Sequence, residues 1–360
     1  MTLLVVYAGG TFGMSNSGRG FEAVDDRRQE IEFLLARWSA DIAHEHGAPP
    51  TWNYVASPKI IDSAEANHSA ALELADLIRR ELDAGGDPLP GRTTHYEGVV
   101  VIHGTDTLAY AASQVTFALA DWHDVPIVFT GAQRPLGTTL SDAEANLRDA
   151  LSCAVMPGNT GTWVAFGGDV ISAVRSTKRS SHSLNGFVAH RELAAHGKLT
   201  QASAEYEPSQ AREPDDLAEL RSRLRAAAGR PAPEVGVLTA VPGLPPALVS
   251  ASLDAFPDGL ILECYGAGSG PFSVPATLEL LQHATSDGMP IVAVTQCEHG
   301  RVDLSRYAGS RTMEQAGVWG GADLGVESAI AKLRALLRAG YTGAELKLIF
   351  DLNLLGERSD

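Results

Sequence analysis

The sequence predicts an α/β fold in two domains, a larger N-terminal doubly wound parallel sheet followed by a smaller C-terminal α/β domain. Three observations predict it. Short, mostly β-branched apolar runs recur ahead of Gly-containing turns, helical patterns separate them, and 360 residues is long for a single hydrophobic core. The runs Leu3 to Tyr7, Gly98 to Ile102, Pro126 to Thr130 and Thr162 to Phe166 are continuously apolar, as strands buried on both faces are. Ala70 to Leu82, Leu108 to Leu119 and Asp142 to Ala154 carry helical patterns between them, and this alternation is that of a doubly wound sheet. The first domain is read as residues 1–207. From Pro208 to Pro233 the chain is charged and Ala-rich, with Pro214 and Pro231 interrupting it, which predicts a linker carrying one exposed helix. Residues 234–360 then repeat the alternation, with strands at Val235 to Ala240, Gly259 to Glu263 and Ile291 to Thr295 and a helix over Leu324 to Leu337.

Composition narrows the functional classes. Hydrophobic residues make up 44% and charged residues 20%, with 36 glycines, a composition of folded α/β enzymes and not of fibrous or disordered chains. The 28 basic against 44 acidic residues leave a net charge of -16, an unfavourable field for a polyanion, and no basic run is interleaved with aromatics. No nucleic-acid partner is expected. No stretch of about 18 apolar residues exists to span a bilayer, so no membrane partner is expected either. The N-terminal run shows neither a basic region nor a small-residue cleavage site, and Cys153, Cys264 and Cys297 are odd in number and widely spaced. A cytoplasmic protein with reduced, buried thiols is the expectation.

Three constellations carry candidate chemistry. Tyr7-Ala8-Gly9-Gly10-Thr11-Phe12-Gly13-Met14 directly follows the first strand, at the carboxyl end where parallel sheets present a ligand crevice. Its paired glycines permit close backbone approach to the Thr11 hydroxyl, or they simply end the strand in a turn. A full G-x-G-x-x-G is not present. His103-Gly104-Thr105-Asp106-Thr107 ends a second buried strand and enters a helix. Its hydroxyls and carboxylate either cap that helix or supply a nucleophile or water-activating group with its charge partner. Arg175-Ser176-Thr177-Lys178 lies in a polar segment after the strand at Thr162 to Phe166. Lys178 is either a solvated surface cation or, beside Thr105 and Asp106, a group that accepts a hydroxyl proton. Metal and nucleotide signatures are absent, since His44-Glu45-His46 is the one close histidine pair and reads as an exposed helix end. Neither a metal nor a cofactor is expected.

Together, Gly9-Gly10-Thr11, His103 to Thr107 and Thr177-Lys178 resemble the bacterial L-asparaginase family, most closely its cytoplasmic type I branch. Asp62-Ser63, Thr130-Gly131-Ala132-Gln133, Ser141-Asp142, Thr295-Gln296-Cys297 and Gly320-Gly321-Ala322-Asp323 follow in the order this resemblance requires. It implies attack by Thr11 on the side-chain amide of L-asparagine, release of ammonia and hydrolysis of the aspartyl ester by water. It also implies that Thr105, Asp106 and Lys178 form a second catalytic group. Ser63 and Asp106 would hold the substrate's α-carboxylate and α-amino groups, Asp62 would shape the loop, and Ala132 would contribute backbone contacts. A homodimer or homotetramer is the implied assembly.

Three positions depart from the family pattern. Phe21 replaces a tyrosine in the loop after the nucleophile, Ala64 replaces a polar residue, and Glu263 stands where some type I members carry an arginine linked with an allosteric asparagine site. The rival readings are a glutaminase-asparaginase, the asparaginase-like subunit of a tRNA-dependent amidotransferase, and a catalytically weak amino-acid sensor. Chain length and acidic charge argue against the amidotransferase subunit.

Overall fold

The computed structural model describes residues 1–16, 18, 20–22, 27–46, 48–84, 95–190, 196–200, 203–204 and 217–359. The chain forms two compact units, one of Met1–Ala189 with Ala195–Ser209, the other of His190–Ala194 with Gln210–Asp360. The boundary read at 207/208 and the side chains of His44, Glu45 and His46 lie outside the described residues.

The first unit runs β1 (Thr2–Gly9), β2 (Ser15–Asn16), β3 (Phe21–Glu22), α1 (Arg28–His46), β4 (Thr51–Ile61), α2 (Ala70–Asp83), β5 (Gly98–Ile102), α3 (Leu108–Ala118), β6 (Ile127–Thr130), α4 (Ala143–Ala154), β7 (Thr162–Phe166), β8 (Asp169–Ser172), β9 (Ser176–Lys178), β10 (Phe187–Ala189), β11 (His196–Thr200) and β12 (Ser203–Ala204). Its main sheet has eight strands in the order β12-β11-β8-β7-β6-β5-β1-β4. Strands β4, β1, β5, β6 and β7 pair in parallel, as the apolar runs predict, and every residue of β5, β6 and β7 is buried. β8, β11 and β12 extend the sheet in antiparallel fashion. β4 and this extension carry mixed polar sequence, and the periodicity of their residues did not mark them as strands.

Alternation along the parallel strands feeds both faces. Leu3, Val5, Val100, Ile102 and Val128 join one core with Leu34, Leu35 and Trp38 of α1 and Leu147 and Leu151 of α4. α2 and α3 pack together and contact the sheet as well. α3 is apolar almost all round, and ten of its eleven residues are buried, the expected fate of a helix without a polar face.

The second unit contains α5 (Leu217–Ala226), β13 (Val235–Thr239), α6 (Pro246–Ala255), β14 (Gly259–Cys264), α7 (Pro275–Ser286), β15 (Ile291–Thr295), α8 (Ala308–Gln315), β16 (Trp319–Gly320), α9 (Val326–Arg338) and α10 (Gly343–Asp351). β13, β14, β15 and β16 form a parallel sheet in that order. The helix expected to be exposed in the linker is α5, and it is not free of the core: Leu217, Leu220 and Leu224 are buried. Leucines at this spacing share one face of a helix, and the charged residues between them occupy the other. At the far end, the side chains of Lys332 and Glu357 are fully buried and pair at 2.5 Å, with the Leu354 and Leu355 amides also donating to Glu357. No described helix is long and apolar enough to cross a membrane.

Candidate active site

All seven site residues expected from the sequence lie in the first unit, at or near carboxyl ends of its strands. β1 ends in Gly9 and Gly10 follows it, both at positive φ (105° and 83°), and Thr11 opens the 3-10 turn that comes next. Gly10 must be glycine for a second reason: a Cβ there would lie 2.0 Å from the Cα of Gly104. The β1 turn and the β5 turn therefore meet backbone to backbone. A Cβ on Gly104 would in turn lie 2.4 Å from Ser63 Oγ, so Ser63 packs on the other side of the same residue. Ser63 is buried, its carbonyl accepts from the Thr107 hydroxyl at 3.0 Å, and the Asp62 carboxylate accepts from the Ala64 amide at 3.1 Å.

The helix-capping reading of Thr105 to Thr107 fails. Thr107 occupies the cap position of α3 without a side-chain cap hydrogen bond, and its hydroxyl is directed to Ser63 instead. Thr105 and Asp106 both meet Lys178. The Lys178 Nζ donates to Thr105 Oγ1 at 2.8 Å and to Asp106 Oδ1 at 2.6 Å. The Lys178 side chain is only 18% exposed, whereas that of Asp106 is 58% exposed, so the pair has one face open to solvent or a ligand. Lys178 sits on β9, which pairs antiparallel with β10; the segment read as merely polar is a hairpin.

Ala132 is fully buried beyond β6, and Gly131 lies so near His103 that a Cβ would come within 2.4 Å of its carbonyl oxygen. The His103 Nδ1 is 2.8 Å from the Gly104 carbonyl. Burial pushes the His103 pKa down, against the raising effect of that hydrogen bond, which keeps the imidazole neutral near pH 7. Among the described residues, no hydrogen bond joins the Thr11 side chain to Lys178. They are linked through Gly10, Gly104 and Thr105.

The sequence reading assigned no role to the residues that hold this arrangement. Asp142, at the N-terminus of α4, makes no cap hydrogen bond; its two oxygens accept from the Gln133 and Arg134 amides at 2.9 Å each. Asn146, one helical turn later, donates to Asp142 and to the Gly131 carbonyl at 3.0 Å and accepts from the Gly167 amide at 3.0 Å. The Gln133 carboxamide donates to the Ser180 and Ser183 carbonyls at 3.1 Å. Gln133 and Asp142 were visible as motif residues, and the four-residue step from Asp142 to Asn146 was the available signal for the third.

Cys153 and Cys264 are buried, and burial pushes both thiols up to about 12. Cys297 is exposed, contrary to the expectation of three buried thiols, because it lies beyond the end of β15.

A mostly parallel α/β sheet that gathers hydroxyls and a carboxylate at its strand ends, beside a lysine on a separate hairpin, defines an enzyme scaffold able to move protons around a hydroxyl group. Residues 2–212 match the family described as Asparaginase, N-terminal, and residues 234–350 match the Glutaminase/Asparaginase C-terminal domain. The chain belongs to the asparaginase family and is an amidohydrolase of that family. It is similar to L-asparaginase 1 of Escherichia coli, at 29% identity over 370 residues, covering 99% of this chain and 97% of the relative. It is similar to the L-asparaginase of Thermococcus kodakarensis at 30% identity over 363 residues, covering 99% of each. The solved thermostable L-asparaginase from Thermococcus kodakarensis superimposes with a TM-score of 0.77 at 27% identity over 100% of both chains. The fold class and family read from the sequence agree with these matches.

Proposed function

We propose that this enzyme hydrolyses L-asparagine to L-aspartate and ammonia, with Thr11 as nucleophile and a covalent aspartyl-enzyme intermediate. The observation that carries the reading is the hydrogen bonding of Lys178 to Thr105 and Asp106, which lie on the segment that abuts the Thr11 turn. In the first step the Thr11 oxygen bonds to the side-chain amide carbon, and its proton leaves for the departing nitrogen. Collapse of the tetrahedral adduct breaks the C–N bond and expels ammonia. In the second step water attacks the ester, its proton returns to the Thr11 oxygen, and aspartate leaves. Thr105 and Lys178 serve these transfers: while Lys178 donates to Thr105 Oγ1, the Thr105 hydroxyl hydrogen is free to point at a reacting oxygen. Asp106 fixes the lysine and offers its exposed carboxylate to the substrate's α-amino group. Ser63 receives the α-carboxylate, Asp62 shapes that loop, and Ala132 contributes backbone contacts.

The family's C-terminal description names glutaminase as well as asparaginase, which favours glutamine as a second substrate. One methylene in a pocket shifts selectivity by only about 1–3 kcal/mol. Resemblance to the type I branch supports a cytoplasmic homodimer or homotetramer, and the net charge of -16 supports the absence of a nucleic-acid partner. Light scattering of the purified protein reads the assembly. The chemical test is ammonia release from both amides, with mass spectrometry of acid-quenched enzyme. An aspartyl adduct on the Thr11 peptide supports the reading. Turnover without an adduct on Thr11 removes the nucleophile assignment, and no turnover by folded protein favours the sensor.

A further inference from the structure

We propose that Gln133 is a positioning residue for Lys178, a strut that sets where the ammonium stands against Thr105 and Asp106. The inference rests on the catalytic reading of Lys178 given above. Gln133 is anchored at both ends. Its backbone amide is held by the Asp142 carboxylate, itself fixed by Asn146. Its side-chain amide donates both hydrogens into the turn between β9 and β10, to the carbonyls of Ser180 and Ser183. Ser180 stands two residues after Lys178.

The turn is shaped around that carboxamide. A Cβ on Gly186 would lie 2.5 Å from Gln133 Nε2, so any other residue there would displace the carboxamide. The Gly186 carbonyl accepts from the Arg179 and Ser180 amides, which ties the position of Gln133 to the residue next to Lys178. On its other flank the turn rests on Gly167, where a Cβ would meet the Leu184 carbonyl at 2.5 Å, and the Gly167 amide donates to Asn146. Asn146 thus supports the turn through Gly167 and Gln133 through Asp142. The side chains of Asp142 and Asn146 are directed to this purpose, and Asp142 makes no cap bond to the helix. A short two-strand hairpin with three residues on each side has little stiffness of its own, and these bonds supply it.

The consequence is specific to the chemical step. Asp62 and Ser63 are carried by a different segment, Asp106 by the turn between β5 and α3, and the Ala132 backbone is held by the main-chain end of Gln133, which a side-chain replacement leaves in place. Losing the carboxamide therefore lowers kcat with KM nearly unchanged, since a displacement of about 1 Å can cost on the order of 100-fold in rate.

The test compares wild type with Gln133→Met, an apolar chain of similar length, and Gln133→Glu. Near pH 7.5 both variants are expected to show kcat for L-asparagine reduced about 10- to 100-fold, with KM within about threefold of wild type and cooperative melting. In the Gln133→Glu variant an ionised carboxylate cannot donate to the two carbonyls, whereas a protonated carboxyl donates once. The kcat of Gln133→Glu relative to wild type is therefore expected to rise as the pH falls toward about 4.5, with no such recovery in Gln133→Met. A kcat within twofold of wild type in Gln133→Met, or a parallel pH response in both variants, overturns the proposal. If wild type itself turns over neither asparagine nor glutamine, the catalytic reading fails instead, and that result is distinguishable from unaffected variants of an active enzyme.

Discussion

Gly10 and Gly104 touch backbone to backbone, and this contact brings the turn bearing Thr11 onto the turn bearing Thr105. A methyl group on Gly10 would fall 2.0 Å from the Cα of Gly104, and the φ of 83° at Gly10 adds conformational strain to any side chain. Gly10→Ala is expected to lose asparagine turnover and to destabilise the protein by on the order of 1–3 kcal/mol through overpacking. Gly158→Ala is the control, because Gly158 has a similar φ of 77° but nothing within 4 Å of a Cβ. Melting curves separate the two. Equal shifts in both variants would show that backbone strain alone, and not the contact with Gly104, fixes this turn.

The buried pair of Lys332 and Glu357 gives stability a defined acid dependence. Burial alone pushes the Glu357 carboxyl upward, but the Lys332 ammonium and the Leu355 and Leu354 amides outweigh it and hold the carboxyl below its usual range. A depressed carboxylate stabilises the fold above its unfolded pKa, and that contribution is lost as pH falls through the folded value. Unfolding free energy is therefore expected to drop as pH falls below about 4.5. Glu357→Gln should lack this component of the acid limb. Because it leaves a buried ammonium without its counter-charge, it should also cost about 3–5 kcal/mol near pH 7. Denaturant titrations across pH measure both effects, and an acid limb unchanged by the substitution contradicts the assignment.

Thiol chemistry divides the three cysteines. Cys297 is exposed, while Cys153 and Cys264 are buried with thiols pushed up to about 12. One thiol per chain is expected to react with a maleimide at neutral pH in native protein, and three after denaturation, with peptide mapping placing the first at Cys297. Rapid native labelling of Cys153 or Cys264 would contradict the packing around α4 or β14, respectively.

What the sequence made legible follows from where the side chains are spent. The parallel strands are buried on both faces and therefore read as continuous apolar runs; Gly98–Ile102, Thr162–Phe166 and Ile291–Thr295 begin and end where the runs do. β4 and the antiparallel strands β8, β11 and β12 were not legible, because their partners are supplied by the sheet edge and their own residues are mixed. Lys178 could be paired with Thr105 and Asp106 only by resemblance, since 72 residues separate it from Asp106 and no local pattern spans that distance. Gln133 and Asn146 were harder still. A carboxamide that satisfies backbone groups of a distant turn leaves no periodic trace, and Asp142 looks from sequence like an ordinary helix cap.

The decisive experiment is the rate of ammonia release from L-asparagine by wild type and by Lys178→Met, assayed side by side with melting curves. Removing the amine from a lysine that bonds both Thr105 and Asp106 should lower kcat by about 100- to 10,000-fold in a protein that still folds. A folded Lys178→Met enzyme that retains wild-type turnover would contradict the assignment of this lysine to the reaction.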